Sequence, residues 1–112
     1  MSITTIPLDV KAAEEHLIKV LSVEGVTGEE KAIAAAVTEE LKKVGVPASA
    51  IRFDQVDKKI PVPTQTGNLI VELAGTRPGP RLVFSSHLDT VLLCRGAKPV
   101  RKGDRIVNEN SS

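Results

Sequence analysis

The sequence predicts an α/β fold in which two amino-terminal helices pack on a small mixed β-sheet. Up to about residue 44, apolar side chains recur at helical spacing, whereas beyond Pro47 they alternate with polar ones as in a strand. The 112 residues are 41% hydrophobic and 26% charged, which is typical of a globular chain and fits one domain over 1–112. Helices followed by strands are expected to form two layers around one core.

The first predicted helix runs from Asp9, its expected N-cap, towards Gly25, which ends it. Its apolar face consists of Val10, Ala13, Leu17 and Leu21. The second helix is predicted from Thr27 and Glu30, which have capping-box spacing, to Gly45. Its apolar face consists of Ile33, Val37, Leu41 and Val44.

The second half of the chain is predicted to contain strands separated by loops rich in proline and glycine. The predicted strands are Ile51 to Val56, Asn68 to Ala74 and Arg81 to Ser86. Because Leu82, Val83 and Phe84 are all apolar, the third strand is expected to be covered on both faces. A short hairpin is expected around Gly103, and residues 108–112 are expected to form a polar tail.

Charge, aromatic content and cysteine content limit the function classes. A net charge of +1 and only two aromatic residues argue against a nucleic-acid partner, which needs basic excess and stacking surfaces. The single cysteine, Cys94, excludes an internal disulfide and is typical of a reducing, cytoplasmic location. No secretory signal is expected within Met1 to Lys11, and no apolar run reaches the ~20 residues of a membrane span.

The pair His87 and Asp89 is the main candidate for chemistry. Two residues apart on an extended chain, they project to the same side, directly after the apolar strand. Neutral imidazole is a common zinc ligand, and a carboxylate often fixes the tautomer of a ligand histidine. On spacing alone, a structural histidine–aspartate hydrogen bond and a metal site both remain open, since zinc needs three or four ligands.

The tract Phe84 to Val91 resembles the first metal motif of the co-catalytic di-zinc peptidases. This family includes peptidase T (tripeptide aminopeptidase), the glutamate carboxypeptidases and the aminoacylases. Further similar tracts are Thr27 to Glu30 at the start of the second helix, Gly67 to Ile70 at a strand start, the turn Gly79-Pro80, and Cys94 to Val100. The resemblance extends over about residues 10 to 107 and implies that the fold is the first part of a zinc-peptidase catalytic domain.

The resemblance implies that His87 is a zinc ligand and that Asp89 is the catalytic carboxylate that orients it. The intact family binds two zinc ions, activates water with them and hydrolyses short peptides. Its bridging aspartate, its Glu-Glu pair and its later ligands have no counterpart among the 23 residues after Asp89. The chain is therefore expected to be an amino-terminal segment with at most a partial zinc site, inactive alone. The alternative is a non-catalytic relative that acts as an oligomerising or binding module.

Other chemically suggestive residues have simpler explanations. The adjacent glutamate pairs and His16 are expected on solvated helix faces, and Cys94 is interpreted as a loop thiol in preference to a third zinc ligand. The glutamate pairs are Glu14-Glu15, Glu29-Glu30 and Glu39-Glu40. The basic residues from Arg95 to Arg105 are interpreted as a solvated hairpin in preference to an anion site. A homo-oligomer is expected, because the two helices can cover only one face of an apolar sheet.

Overall fold

The computed structural model describes residues 5–110 and contains two helices and two antiparallel sheets of two strands each. The α/β class predicted from the sequence is confirmed, with the strands divided between two small sheets. The elements are α1 (Val10–Leu21), α2 (Lys31–Lys43), β1 (Ile51–Phe53), β2 (Leu69–Val71), β3 (Pro99–Lys102) and β4 (Arg105–Asn108). Within residues 5–110, no helix combines the length and the apolar character needed to cross a membrane.

Helix α1 begins as the sequence predicts. The Asp9 carboxylate accepts a hydrogen bond from the Ala12 amide at 3.0 Å, which satisfies one of the free donors of the first turn. The helix ends at Leu21, four residues before Gly25, because the Ser22 hydroxyl donates to the carbonyls of Ile18 and Lys19. This local bond competes with continuation of the helix.

Helix α2 begins at Lys31, and the predicted capping box is absent. The Glu30 carboxylate accepts from the Gly28 amide at 2.9 Å, and the Thr27 hydroxyl donates to Asp89, so neither side chain caps the helix. The other end follows the prediction. The amide of Gly45 (φ 95°) donates to the Lys42 carbonyl and that of Val46 to the Leu41 carbonyl, which is a Schellman termination.

Strands β1 and β2 are shorter than predicted and pair antiparallel, with Arg52 opposite Ile70. Strand β1 ends at Phe53 because the Asp54 carboxylate accepts hydrogen bonds from the amides of Val56 and Asn68 and from the Asn68 side chain. These donors, chiefly the Asn68 side chain, hold the pKa of Asp54 below its usual range.

The predicted hairpin around Gly103 is confirmed. Strands β3 and β4 pair with Lys102 opposite Arg105, and Gly103 has a φ of 63° at the first of the two turn residues. A glycine with positive φ at this position is typical of a type II′ turn. Of the predicted polar tail 108–112, Asn108 is the last residue of β4, while Ser111 and Ser112 lie outside the described residues.

The predicted strand Arg81 to Ser86 is wrong for this chain, because these residues pair with no other strand in the described structure. The side chains of Leu82, Val83 and Phe84 are 82%, 86% and 94% exposed instead of covered on both faces. Apolar composition favours a strand only where a neighbouring strand supplies hydrogen bonds and a packed layer supplies cover. Residues 5–110 supply neither at this position.

The core is small and lies between the turn before α2 and the first half of that helix. Its buried apolar side chains are Val26, Ile33 and Ala34. The chain exposes 9422 Å², about 3,500 Å² more than the ~5,950 Å² expected of a folded monomer of this mass. The radius of gyration is 16.9 Å, compared with ~13 Å for a compact domain of this length. Much apolar surface is thus left for other contacts.

Candidate metal site

The His87–Asp89 pair lies on a loop that is fastened to the turn before α2. The Thr90 amide donates to the Gly25 carbonyl at 2.9 Å, and the Thr27 amide donates to the Thr90 carbonyl at 3.0 Å. These two bonds form a parallel bridge between Val26 and Thr90. Since Val26 is part of the buried core, the core positions the loop immediately after Asp89.

The structure brings His87 and Asp89 into direct contact, as their spacing predicts. Nδ1 of His87 lies 3.0 Å from Oδ1 of Asp89 and 3.0 Å from the Asp89 carbonyl oxygen. Both neighbours are acceptors, so they favour the neutral tautomer that carries its proton on Nδ1. In that tautomer the free lone pair is on Nε2, and the His87 side chain is 84% exposed. The imidazole is therefore accessible to a metal ion through Nε2.

The orientation of Asp89 depends on a third residue, Thr27. The Thr27 hydroxyl donates to Oδ2 of Asp89 at 2.7 Å, while Oδ1 contacts His87. The Thr27 hydroxyl, and after it the imidazole of His87, hold the pKa of Asp89 below its usual value. The carboxylate is therefore charged at neutral pH, and both of its oxygens have a fixed partner.

Sequence reasoning missed this role of Thr27, which it interpreted as a helix cap. Thr27 and Asp89 are 62 residues apart, so no local spacing connects them. The interpretation was reasonable, because a threonine three residues before a glutamate is also the pattern of a capping box. The Thr27 hydroxyl could bond either an amide at the start of α2 or the Asp89 carboxylate. The parallel bridge decides between them, because it places Thr27 beside Asp89.

Arg95 attaches the next part of the same loop to the turn before α2. Its guanidinium forms two hydrogen bonds to the Glu29 carboxylate, both 3.0 Å long, and a third to Glu24 at 2.8 Å. The hydrogen bonds from Arg95, followed by its charge, lower the pKa of Glu29. Glu24 also accepts from the Gly96 amide at 3.3 Å. These contacts restrain the end of the loop next to β3, while the Val26–Thr90 bridge restrains the end next to His87.

Three further basic residues of this region are exposed and paired with carboxylates. Arg101 pairs with Glu14 of α1, Lys102 with Glu109 at 3.3 Å, and Arg105 with Asp104 at 3.8 Å. This arrangement agrees with the interpretation of a solvated hairpin.

His16 and one residue of the third glutamate pair, Glu40, lie where the two helices meet. Glu40 joins the two helices, since its carboxylate contacts His16 and Lys19 of α1 and Lys43 of α2. The Lys19 and Lys43 ammonium groups lower the pKa of Glu40 to about 2. Its side chain is only 16% exposed, so Glu40 is not the fully solvated residue that the sequence predicts.

The described residues do not form a complete metal site. Between residues 5 and 110, no group of three or more histidine, cysteine, aspartate or glutamate side chains is arranged to hold a metal ion. Cys94 is a free, partly exposed thiol in the 3₁₀ turn after the loop. One imidazole falls short of the three or four ligands that zinc requires, so these residues alone do not fit a complete zinc centre.

Comparison of the chain with protein-family models, with curated proteins and with solved structures gives no match.

Proposed function

We propose that the chain is the amino-terminal segment of a zinc-dependent peptidase of the tripeptidase or aminopeptidase type, which acts on short peptides in the cytoplasm. The observation that carries the proposal is the contact of His87 Nδ1 with the Asp89 carboxylate, which leaves Nε2 directed away from its partner. A carboxylate–histidine pair of this kind is the usual arrangement behind a zinc-ligating imidazole.

Two further features support this assignment of roles. Thr27 fixes the second carboxylate oxygen of Asp89, and the Val26–Thr90 bridge anchors the loop to the core. A ligand histidine needs such support, because small errors in ring orientation weaken metal binding. In this proposal His87 binds the metal through Nε2, and Asp89 holds the proton on Nδ1.

Zinc in such a site would supply the activation of water for peptide hydrolysis. The described residues provide one ligand, so the other ligands and the general base would come from further polypeptide. The proposal therefore predicts that the 112-residue chain binds zinc weakly. Its affinity should be far below that of sites with three or four protein ligands, whose apparent binding free energies reach about 10–16 kcal/mol.

The test is a zinc titration of the chain, followed by NMR of the two imidazole rings. His16 is a matched control, because it is the only other histidine, is half-exposed and also contacts a carboxylate through Nδ1. We expect the Nε2 signal of His87 to shift before any signal of His16, and the shift to be lost in His87→Ala and retained in His16→Ala. Asp89→Asn should weaken the response and increase the population of the other His87 tautomer.

Two results would contradict the proposal. Equal responses of His87 and His16 would indicate only the nonspecific affinity of exposed imidazole for zinc. A tight, stoichiometric site in the monomer would indicate further ligands in this chain, and Cys94→Ser would then test the nearest thiol in sequence. The alternative of a non-catalytic module would be favoured by the first result.

A further inference from the structure

We infer that Arg95 is a positioning residue for the His87–Asp89 pair. Its guanidinium holds the turn before α2 against the loop that carries the pair, and it thereby keeps the Thr27 hydroxyl on the Asp89 carboxylate. The consequence for metal binding rests on the function proposed for His87. The consequence for the orientation of the imidazole does not.

The turn and the loop are joined at two places. The first is the parallel backbone bridge that follows Asp89. The second is Arg95, whose guanidinium donates to the carboxylates of Glu24 and Glu29. Thr27 lies between these two glutamates in sequence, so one guanidinium restrains the chain on both sides of the threonine.

A 3₁₀ turn brings Arg95 back to the turn before α2. This turn is Leu92–Cys94, and the Arg95 amide donates to the Leu92 carbonyl at 3.0 Å. The side chains of Leu92 and Leu93 are 72% and 83% exposed, so packing within residues 5–110 gives the 3₁₀ turn little support. Its attachment therefore depends on the polar contacts of Arg95 and of the next residue, Gly96.

The geometry of the Arg95–Glu29 contact suits a positioning role. Its two hydrogen bonds, both 3.0 Å long, use different guanidinium nitrogens and different carboxylate oxygens. Such a fork fixes the direction between the two groups as well as their distance, which an ammonium group does not. Isolated exposed ion pairs contribute little to stability, but bidentate pairs and networks are exceptions. Removal of the guanidinium should therefore loosen the turn and separate Thr27 from Asp89.

The tautomer of His87 in the metal-free chain tests the inference, and NMR reads it from the imidazole nitrogen shifts at pH ~8, where ordinary imidazole is neutral. Arg95→Ala should shift population from the Nδ1–H to the Nε2–H tautomer, because Asp89 is then no longer fixed, while the helical circular dichroism stays unchanged. Arg95→Lys should give an intermediate shift. The matched control is Arg101→Ala, since Arg101 is 52% exposed, compared with 46% for Arg95, and pairs with a carboxylate of α1 instead. This control should not change the tautomer.

A double substitution tests the route through Thr27. In the Thr27→Val background, Arg95→Ala should have no further effect on the tautomer, because the hydroxyl through which it acts is already absent. In the unsubstituted background, Arg95→Ala should also weaken the zinc affinity of His87 about two- to tenfold, at or below the ~10–100-fold loss caused by removing a direct partner of a ligand. Loss of a positive charge alone would strengthen zinc binding, so the direction separates positioning from electrostatics.

Three results would overturn the inference: an unchanged His87 tautomer in folded Arg95→Ala, an equal change in Arg101→Ala, or effects of Thr27→Val and Arg95→Ala that simply add. If Arg95→Ala lowers the helical circular dichroism, Glu29→Gln replaces it, with a tautomer shift in the same direction expected. A tautomer shift without a preferential zinc response of His87 in the unsubstituted chain would support the inference and contradict the proposed function.

Discussion

Replacing Gly25 by alanine should destabilise the chain through one identifiable contact. A Cβ at this buried position would lie 2.5 Å from Cγ2 and 3.0 Å from Cβ of Ile33, a core residue of α2. Gly25 has no left-handed φ, so the cost arises from crowding and not from the backbone conformation. Overpacking of this kind typically costs about 1–3 kcal/mol, and Ile33→Ala alone should cost about 2–5 kcal/mol through the lost packing.

The two substitutions should be strongly non-additive. Ile33→Ala removes the Cγ2 atom that the new methyl group would meet. Gly25→Ala should therefore cost at least about 1 kcal/mol less free energy of unfolding in the Ile33→Ala background than in the unsubstituted chain. Urea denaturation followed by circular dichroism, at one fixed protein concentration, gives the four free energies of unfolding. The control cycle pairs Gly25→Ala with Leu17→Ala, a half-exposed residue of α1, and should be additive. If Gly25→Ala cost the same in the unsubstituted chain and in the Ile33→Ala background, the contact between position 25 and Ile33 would be refuted.

The remaining predictions concern the candidate site. The isolated chain should not hydrolyse tripeptides even with added zinc or cobalt, because its described residues include no group of three or more side chains arranged to hold a metal ion. Turnover that copurifies with the chain and is lost in His87→Ala would contradict this prediction. The pKa of Asp89 is lower in the folded chain than in the unfolded chain, where it is about 3.9. Ionised Asp89 therefore adds to the free energy of unfolding above pH ~3.9, and this contribution is lost as the pH falls through the pKa of the folded chain. Thr27→Val should raise the pKa of Asp89 and move this loss to higher pH, as measured by NMR titration of the carboxyl carbon; an unchanged midpoint would show that Thr27 has no such role.

Local chemistry was sufficient to predict the helices, the Gly103 hairpin and the His87–Asp89 contact. Each depends on residues close together in sequence: the Asp9 cap on one turn, the hairpin on two turn residues, and the imidazole contact on a spacing of two. Periodicity and capping describe interactions within this range, so the sequence alone contains enough information to predict them.

Only the tertiary structure decided where Thr27 donates its hydrogen bond and whether Leu82 to Phe84 forms a strand. The first outcome depends on a bridge between Val26 and Thr90, which are far apart in the chain. The second depends on neighbours, because a strand is stabilised by hydrogen bonds and cover from other segments, which residues 5–110 do not give to this one. Apolar composition therefore indicates that the side chains of this segment are to be covered. Which segment supplies that cover depends on long-range contacts that periodicity does not encode.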